Sequence, residues 1–282
     1  MYNNAVTIDD RLIKTFQKTI LDWYKKNQRD LPWRKTREPY HIMVSEIMLQ
    51  QTQVNRVITK FEAWLKRFPT VEALATAPVS DVLKYWSGLG YNRRALNLKR
   101  AAEAIVKEHH GEFPQNETLL MKLPGIGPYT SRAILCFAFG KQVAVVDTNV
   151  KKVILTQIMK EPFDSAQGKL SEKDFQEIAE QLLPHGHAYD WNQALMDYAS
   201  HVLKKEKIPI PKQSKFIGSH RYYRSGIVKL LLEKKEIAIS KVGPAIKKDY
   251  SNKEKEWLQK LLEDLTKEGF IVVENETVRL IS

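Results

Sequence analysis

The chain has 282 residues, of which 43% are hydrophobic and 28% are charged, a globular composition with enough length for two ordinary domains. Its formal net charge of +12 favours a polyanionic partner, although a well-solvated lysine-rich surface would have the same composition. No run of about 18 apolar residues could span a membrane, and the N-terminus lacks the basic-then-apolar order of a signal peptide. We therefore expect a soluble, cytoplasmic protein.

Residues 8–203 are predicted to be almost entirely helical and free of repeats, because apolar residues recur there at intervals of three and four. Prolines mark the boundaries between the helical stretches. The predicted helices are residues 9–26, 40–52, 53–68, 71–77, 80–86, 92–109, 117–123, 129–139, 148–158, 172–183 and 191–203.

The last third of the chain has a different pattern. Residues 204–215 have two prolines, five lysines and no periodicity, which predicts an extended basic linker over residues 204–220. Beyond it we predict helices at 222–234, 240–246 and 252–268 and strands at 236–239, 270–273 and 277–281. This order is typical of a winged helix, with a small protein-docking domain as the alternative. From Lys204 onward there are 18 Lys and Arg against 11 Asp and Glu, so this third carries +7 of the total charge.

Basic and aromatic residues alternate where the linker meets the first of these helices. Such residues can lie on sugars or bases of a nucleic acid, or the tyrosines can pack inward at a linker–helix junction. The stretch comprises Lys215, His220, Arg221, Tyr222, Tyr223 and Arg224.

A glycine-rich turn separates two predicted helices at Leu123-Pro124-Gly125-Ile126-Gly127-Pro128-Tyr129-Thr130. We expect positive φ at Gly125 and Gly127, which would leave backbone amides free to bind an anion such as a DNA phosphate. A plain structural turn is the alternative. Asp147 follows the next apolar run, and a carboxylate at this position would repel a DNA phosphate bound by the turn. Its presence makes sense if positive charge develops there during a reaction.

This turn, together with Val145-Val146-Asp147-Thr148-Asn149-Val150, resembles the helix-hairpin-helix DNA glycosylases. A second set of motifs is similar to the adenine DNA glycosylase branch, and a stretch near the hairpin is also similar to the mismatch-specific thymine DNA glycosylases. The resemblance covers roughly the first two hundred residues. The second set comprises Leu31-Pro32-Trp33-Arg34, Pro39-Tyr40, Ser45 to Thr52 and Gly88-Leu89-Gly90-Tyr91.

The resemblance implies a mainly α fold. We expect a two-lobed helical helix-hairpin-helix glycosylase domain at residues 1–203, followed by the linker and a C-terminal α+β winged-helix-like domain at residues 221–282. It also implies a monofunctional enzyme that flips a mispaired or damaged base out of duplex DNA and hydrolyses its N-glycosidic bond. The alternative is a non-catalytic DNA-binding regulator with a relic glycosylase domain. The expected partner is lesion- or mismatch-containing double-stranded DNA, bound by a nucleoid-associated monomer.

Three residues are the candidate catalytic groups. Glu46 lies in an apolar helix, where partial burial would raise its pKa and keep a proton for the departing base; a solvated face or a salt bridge is the alternative. Asp147 takes the family's catalytic aspartate position, stabilising a sugar cation, and could also cap the following helix. Tyr129 occupies the position at which bifunctional relatives have a lysine. A phenol forms no Schiff base, so efficient strand cleavage by that route is not expected.

Other site residues follow from the same resemblance. Trp33 and Arg34 match positions lining the base pocket, although Trp33 alone would suggest a core aromatic. Gln193 stands where the adenine enzymes tend to have a glutamate facing the base. The predicted phosphate hairpin is Gly125, Ile126, Gly127, Tyr129 and Thr130, and the predicted wedge or opposite-base contacts are Gln50, Gln51, Thr52 and Tyr91.

The chain departs from the family in two further respects. Most relatives hold an iron–sulfur cluster with four cysteines, whereas this sequence has a single cysteine, Cys136, within an apolar helical run. We therefore predict no cluster and no other metal site, leaving open a monovalent cation at the hairpin. We also expect the family's C-terminal domain that recognises oxidised guanine to be replaced by the winged-helix-like domain. The excised base is thus either adenine opposite a damaged guanine or a mispaired or oxidised pyrimidine opposite guanine.

Overall fold

The computed structural model describes residues 7–160, 170–204 and 215–281. Residues 1–6 and most of the predicted linker lie outside these ranges. The described residues fall into two compact units. The first is drawn from Met1–Glu46, Phe113–Lys122 and Ile126–Ile210, and the second from Ile47–Glu112, Leu123–Gly125 and Pro211–Ser282. The domain boundaries at residues 203 and 221 stay a prediction.

The N-terminal two thirds are helical, as predicted. Asp9 begins the first helix by accepting hydrogen bonds from the backbone N–H groups of Arg11 and Leu12. The helices are α1 (Asp10–Asn27), α2 (Pro39–Leu49), α3 (Val54–Arg67), α4 (Val71–Ala75), α5 (Val79–Trp86), α6 (Arg93–His109), α7 (Glu117–Leu120), α8 (Pro128–Phe137), α9 (Thr148–Val153), α10 (Glu172–Leu182) and α11 (Ala188–His201), with a 3-10 turn at Pro32–Arg34.

The core of the first unit is formed by apolar faces of α1, α9, α10 and α11. Phe16 of α1 packs edge-to-face on Trp191 of α11, with ring centroids 5.6 Å apart. Neither ring is more than 8% exposed. This packing joins α1 to α11 in the core of the first unit.

The helices of the second unit pack around three aromatic side chains. Trp64 of α3 lies edge-on to Phe68 and to Trp86 of α5, with centroid distances of 4.9 and 5.7 Å. All three side chains are fully buried. Along α6, Ala95, Leu98, Ala101, Ala102 and Ile105 recur at helical spacing and are completely buried.

The C-terminal segment has the predicted winged-helix order of elements. These are α12 (His220–Lys234), β1 (Glu236–Ala238), α13 (Ile239–Ile246), α14 (Lys255–Lys267), β2 (Ile271–Glu274) and β3 (Thr277–Leu280). The sheet is antiparallel with strand order β1-β3-β2. Asn275 and Glu276 both have positive φ, 48° and 57°, which makes the β2–β3 connection a tight two-residue hairpin turn.

The basic-aromatic stretch is only partly exposed. Tyr222 is 38% exposed, whereas Tyr223 packs edge-to-face on Trp257 at 4.9 Å. Arg224 forms a two-point ion pair with Glu268, at 2.8 and 2.6 Å. Tyr223 therefore packs inward, as the alternative predicted, whereas Tyr222 is exposed.

Some predicted helix ends are wrong. The helix predicted to continue through Thr52 ends at Leu49, because Gln51 adopts a left-handed conformation with φ 54°. The helix predicted over 117–123 ends at Leu120, just before the hairpin. The helix predicted over 148–158 is α-helical only to Val153 and continues as a π-helix over Ile154–Ile158. Among the described residues, no helix is long and apolar enough to cross a membrane.

Candidate active site

Glu46 is a buried acid on an apolar helix. Every residue of α2 from Ile42 to Met48 is buried, and Glu46 is only 5% exposed. Burial, and to a smaller degree the negative charge of Asp147, raise the pKa of Glu46 to about 7, although a hydrogen bond from Tyr129 opposes this. The expectation of a raised pKa is therefore confirmed, and the solvated-face alternative is wrong.

Tyr129 lies directly against this acid. It is in the first turn of α8, and its phenolic Oη donates a hydrogen bond of 2.8 Å to Oε2 of Glu46. Burial and the neighbouring carboxylates raise the pKa of Tyr129 well above 10, so the phenol stays protonated. The contact fixes one oxygen of Glu46 and leaves the other available.

Asp147 is the third member of the cluster, with a half-buried side chain. It is the N-cap of α9: Oδ1 accepts the backbone N–H of Val150 and Oδ2 accepts Nδ2 of Asn149, both at 2.8 Å. Burial raises the pKa of Asp147, and these donors act in the opposite direction because they favour the carboxylate. The predicted capping role is thus observed beside the acid.

Asn192 holds the segment that leads into Asp147, a role that the sequence analysis missed. Its Oδ1 accepts the N–H of Val145 at 2.8 Å, and its Nδ2 donates to the carbonyls of Val143 and Ala188 at 3.0 and 2.8 Å. Asn192 is 1% exposed. A polar residue in the middle of the buried face of α11 was the available signal.

Arg34, a predicted pocket residue, belongs to a buried ion-pair network. Its two terminal nitrogens bind the two carboxylate oxygens of Asp197 at 2.8 Å each, and Nε of Arg29 binds Asp197 at 2.5 Å. Burial opposes ionisation of Asp197, but the two guanidinium groups outweigh it and lower its pKa. Arg34 is also close enough to oppose the raised pKa of Glu46. Asp197 was likewise missed.

The other two predicted pocket residues are buried. Trp33 and Gln193 are each 5% exposed, the first in the 3-10 turn and the second on α11. Nε of Arg34 is buried and lacks an acceptor among the described residues, as does Nε of Arg94. Buried polar atoms without partners are uncommon in folded proteins, so the unpaired Nε of Arg34 calls for a specific explanation.

The predicted wedge residues are held by an arginine that the sequence analysis did not select. Nη1 of Arg94 donates to the carbonyls of Ile47, Met48 and Gln50 at 2.8, 3.1 and 2.5 Å. Its Nη2 donates to Oγ1 of Thr52 and to the carbonyls of Leu89 and Gly90. Burial lowers the pKa of Arg94 to about 10, so it stays charged at neutral pH. Arg94 therefore joins the Gln50–Thr52 turn to the loop that carries Tyr91.

The hairpin has one left-handed glycine. Gly125 has φ 80°, and a Cβ there would lie 2.8 Å from Cβ of Asn97. The expectation of positive φ at Gly127 is wrong: its φ is −103° and ψ −175°, because it is the extended N-cap residue of α8, which starts with Pro128. A Cβ at Gly127 would meet nothing within 4 Å. Ile126 and Thr130, also predicted for this hairpin, are buried beside it.

The structure offers no fit for a four-cysteine cluster. The single thiol, Cys136, is buried in α8, where its Sγ accepts a hydrogen bond from Nδ2 of Asn192 at 3.3 Å. Burial raises its pKa to about 11, which disfavours the thiolate that iron requires. The prediction of no cluster was made from the sequence and stays a prediction.

Comparison with known proteins gives this geometry a family context. Residues 44–181 match the model of the HhH-GPD superfamily base excision DNA repair proteins. The chain is 47% identical over 136 residues to an adenine DNA glycosylase of Mycobacterium tuberculosis, covering 48% of this chain and 45% of that protein. It therefore spans about half the length of that curated relative.

Two thymine glycosylases are covered more fully. A thymine/uracil-DNA glycosylase of Methanothermobacter thermautotrophicus is 34% identical over 197 residues, with 69% of this chain and 87% of that protein covered. The solved structure of a thermostable thymine-DNA glycosylase superimposes with a TM-score of 0.62 at 32% identity, covering 76% of this chain and 94% of that one. The matched segment contains Glu46, Tyr129 and Asp147. The chain belongs to the HhH-GPD superfamily of base excision DNA repair proteins.

Proposed function

We propose that the protein is a monofunctional DNA glycosylase, which hydrolyses the N-glycosidic bond of a mispaired or damaged base flipped out of duplex DNA. The cluster of Glu46, Tyr129 and Asp147 is the observation that carries this proposal. It combines a buried acid that is half-protonated near neutral pH with a second carboxylate held by hydrogen-bond donors. Glycosidic bond cleavage requires these two functions.

Glu46 supplies the proton. As the bond between sugar and base breaks, electrons move onto the base, and protonation by Glu46 makes it a better leaving group. Tyr129 binds one oxygen of Glu46 and leaves the other for the base. A pKa of about 7 gives the acid both a useful protonated fraction and a driving force for proton transfer.

Asp147 stabilises the positive charge that develops on the sugar, either electrostatically or through a transient covalent adduct that water then resolves. The donors from Val150 and Asn149 favour its ionised form. Since Tyr129 replaces the lysine that would form a Schiff base, the product is an abasic site in an unbroken strand.

The proposed base pocket is formed by Trp33, Arg34 and Gln193, and its buried Arg34 Nε has no acceptor among the described residues. Gln193 can donate and accept, so it suits a base edge with both functions. The proposed target is adenine opposite a damaged guanine or a mispaired or oxidised pyrimidine opposite guanine. The names of the relatives include both classes.

We further propose that the chain acts as a monomer on lesion- or mismatch-containing double-stranded DNA and that the hairpin binds a phosphate. The first backbone N–H groups of α8, like those of any helix, have no carbonyl acceptor within the helix. These groups are therefore suited to donate hydrogen bonds to an anion such as a DNA phosphate. The open space at Gly127 allows a close approach of the DNA backbone. The C-terminal third, which carries an excess charge of +7 from Lys204 onward, would bind DNA flanking the lesion.

A panel of duplexes tests the proposal. Each duplex has one mispaired or damaged base, and alkali after incubation reveals abasic sites as strand breaks. We expect alkali-dependent breaks for adenine opposite 8-oxoguanine or for a pyrimidine opposite guanine, unbroken strands without alkali, and no efficient trapping by borohydride. If no duplex releases a base although the protein binds DNA, the non-catalytic regulator is the correct interpretation. The same panel incubated with Glu46→Gln controls for contaminating glycosylases.

A further inference from the structure

A cavity of about 670 Å³ lies within the second compact unit. Its volume is in the range of about 300–1,000 Å³ that is common for small-molecule and cofactor sites. One wall comes from the turn after α2 and the start of α6, and the other from α12, α14 and the residue before β2. The lining residues include Gln51, Tyr91, Arg93, Arg221, Val228 and Glu268.

The cavity has an apolar floor and a cationic rim. Val228, Leu265 and Phe270 on its floor are at most 3% exposed. Four arginines line it against one acid, Glu268, and that acid is bound at two points by Arg224. Such a combination suits a flat aromatic group attached to an anion, which is the chemistry of a nucleotide.

The wall formed by the N-terminal elements is conformationally strained. Gln51 and Tyr91 both line the cavity and have positive φ, 54° and 49°, although neither is glycine. Such conformations cost energy and concentrate at ligand-binding and catalytic positions. The Tyr91 side chain is 39% exposed, so a large part of its surface is available to a ligand.

The opposite wall brings an arginine of the C-terminal segment to this tyrosine. Nη1 of Arg221 on α12 donates to Oη of Tyr91 at 3.4 Å, and the guanidinium carbon lies 6.0 Å from the ring centroid. His220, the preceding residue, pairs with Asp264 of α14 at 3.3 Å. Arg221 is therefore held at the rim by its helix, beside a residue predicted to contact the opposite base.

We propose that this cavity receives the nucleotide left unpaired when the target base is flipped, and that Arg221 determines specificity by binding the edge of a guanine-type base there. The inference rests on the proposed glycosylase function. A guanidinium donates two parallel hydrogen bonds to O6 and N7 of guanine, the commonest specific contact of arginine with a base. Tyr91 supplies a stacking surface, and Arg93, which is exposed at the start of α6, supplies charge for the phosphate.

Binding to duplexes with a stable tetrahydrofuran abasic analogue tests this. The analogue is placed opposite guanine, 8-oxoguanine, adenine, cytosine or thymine, and dissociation constants are measured at one salt concentration for the full chain. The variants are Arg221→Ala, Arg221→Lys and, as a matched control, Lys229→Ala, which removes a charge from the exposed face of the same helix. Melting temperatures verify that each variant is folded.

The wild type should bind most tightly opposite guanine or 8-oxoguanine. Arg221→Ala should lose about tenfold in affinity for that partner and clearly less for the others. Arg221→Lys keeps the positive charge but lacks the two parallel hydrogen-bond donors of a guanidinium, so this variant should also lose the preference for guanine or 8-oxoguanine. Lys229→Ala should change the affinity for all duplexes by the same factor. An equal loss on every duplex for Arg221→Ala, or a wild-type preference in Arg221→Lys, would overturn the proposal.

Base release by the wild type, measured on the lesion panel, separates this inference from the proposed function. If the wild type releases a base and the Arg221 variants keep its ranking of partner bases, only the inference about the cavity is wrong. If no duplex releases a base, the proposed glycosylase function is wrong, and a partner ranking that depends on Arg221 still supports a guanine site in the cavity.

Discussion

At the scale of single residues, the protein keeps a carboxylic acid in an environment that opposes its ionisation. Glu46 is 5% exposed, it lies close enough to Asp147 for that charge to raise its pKa, and it receives one hydrogen bond from Tyr129. Burial is the main reason that its pKa is raised to about 7. Burial therefore makes Glu46 a suitable acid and at the same time reduces the stability of the folded protein.

The rate of base release should fall at alkaline pH. Because the proposed mechanism needs Glu46 protonated, the single-turnover rate constant should decrease about tenfold per pH unit once the pH exceeds about 7. Asp147 acts when ionised, so a second, acidic decline should lie above pH 3.8, its ordinary value. Single-turnover assays from pH 4 to 9 measure both declines. A rate that is constant from pH 6 to 9 would exclude Glu46 as the acid.

Removing the charge of Glu46 should stabilise the protein at high pH. The unfolded side chain ionises near 4.5 and the folded one near 7, so the folded state loses stability as the pH rises between these values. Above about pH 8 the cost approaches roughly 3 kcal/mol. Glu46→Gln should therefore be more stable than the wild type at pH 8 by up to this amount and nearly equal at pH 5.

Urea unfolding at the two pH values measures the difference. Glu62→Gln, at an exposed position of α3, is the matched control for the loss of a glutamate charge. An equal effect of Glu46→Gln at pH 5 and pH 8 would contradict the raised pKa.

At the scale of elements, the sequence predicted most helices and the order of the C-terminal strands, because these depend on local periodicity and turn residues. It did not predict the end of α2 at Leu49 or the extended conformation of Gly127. Both depend on contacts with residues far along the chain or on the start of the next helix. Arg94 contacts the carbonyl of Ile47, 47 positions away, and Asp197 binds Arg29 across 168 positions. Such pairings leave no local pattern.

Arg94 should be essential for the stability of the turn that carries Gln50 and Gln51. Arg94→Ala leaves several carbonyls without their donor and should destabilise the protein by about 3 kcal/mol. Arg93→Ala, at the exposed neighbouring position, should cost less than about 0.5 kcal/mol. Urea unfolding curves measure both variants. Equal stabilities would show that the Arg94 hydrogen bonds do not hold the turn.

At the scale of the whole molecule, charge is unevenly distributed along the chain. The +7 excess of the C-terminal third indicated a nucleic-acid contact from composition alone. The sequence could also suggest the catalytic residues, but only through resemblance, since a glutamate on an apolar helix is otherwise ambiguous. The cavity beside Tyr91 was not predictable, because it requires α12 to lie against the loop before α6.

Neutralising exposed C-terminal lysines should reduce the salt dependence of DNA binding. A variant with Lys241, Lys248, Lys253 and Lys260 changed to Gln should lower the slope of log affinity against log salt by about 0.9 for each phosphate that the protein no longer neutralises. The control changes four exposed lysines of α1, Lys14, Lys18, Lys25 and Lys26, and should lower it less. Binding from 50 to 200 mM salt measures the slopes. Equal slopes for both variants would favour the protein-docking alternative.

We propose that Glu46 and Asp147 together break the glycosidic bond. The most direct measurement is the single-turnover rate of base release by the wild type, Glu46→Gln and Asp147→Asn on the best duplex of the panel, with duplex affinity measured in parallel. Each variant should lose at least about a hundredfold in rate while keeping its affinity within a few-fold. Near-normal release by either variant would remove that residue from the mechanism and contradict the account.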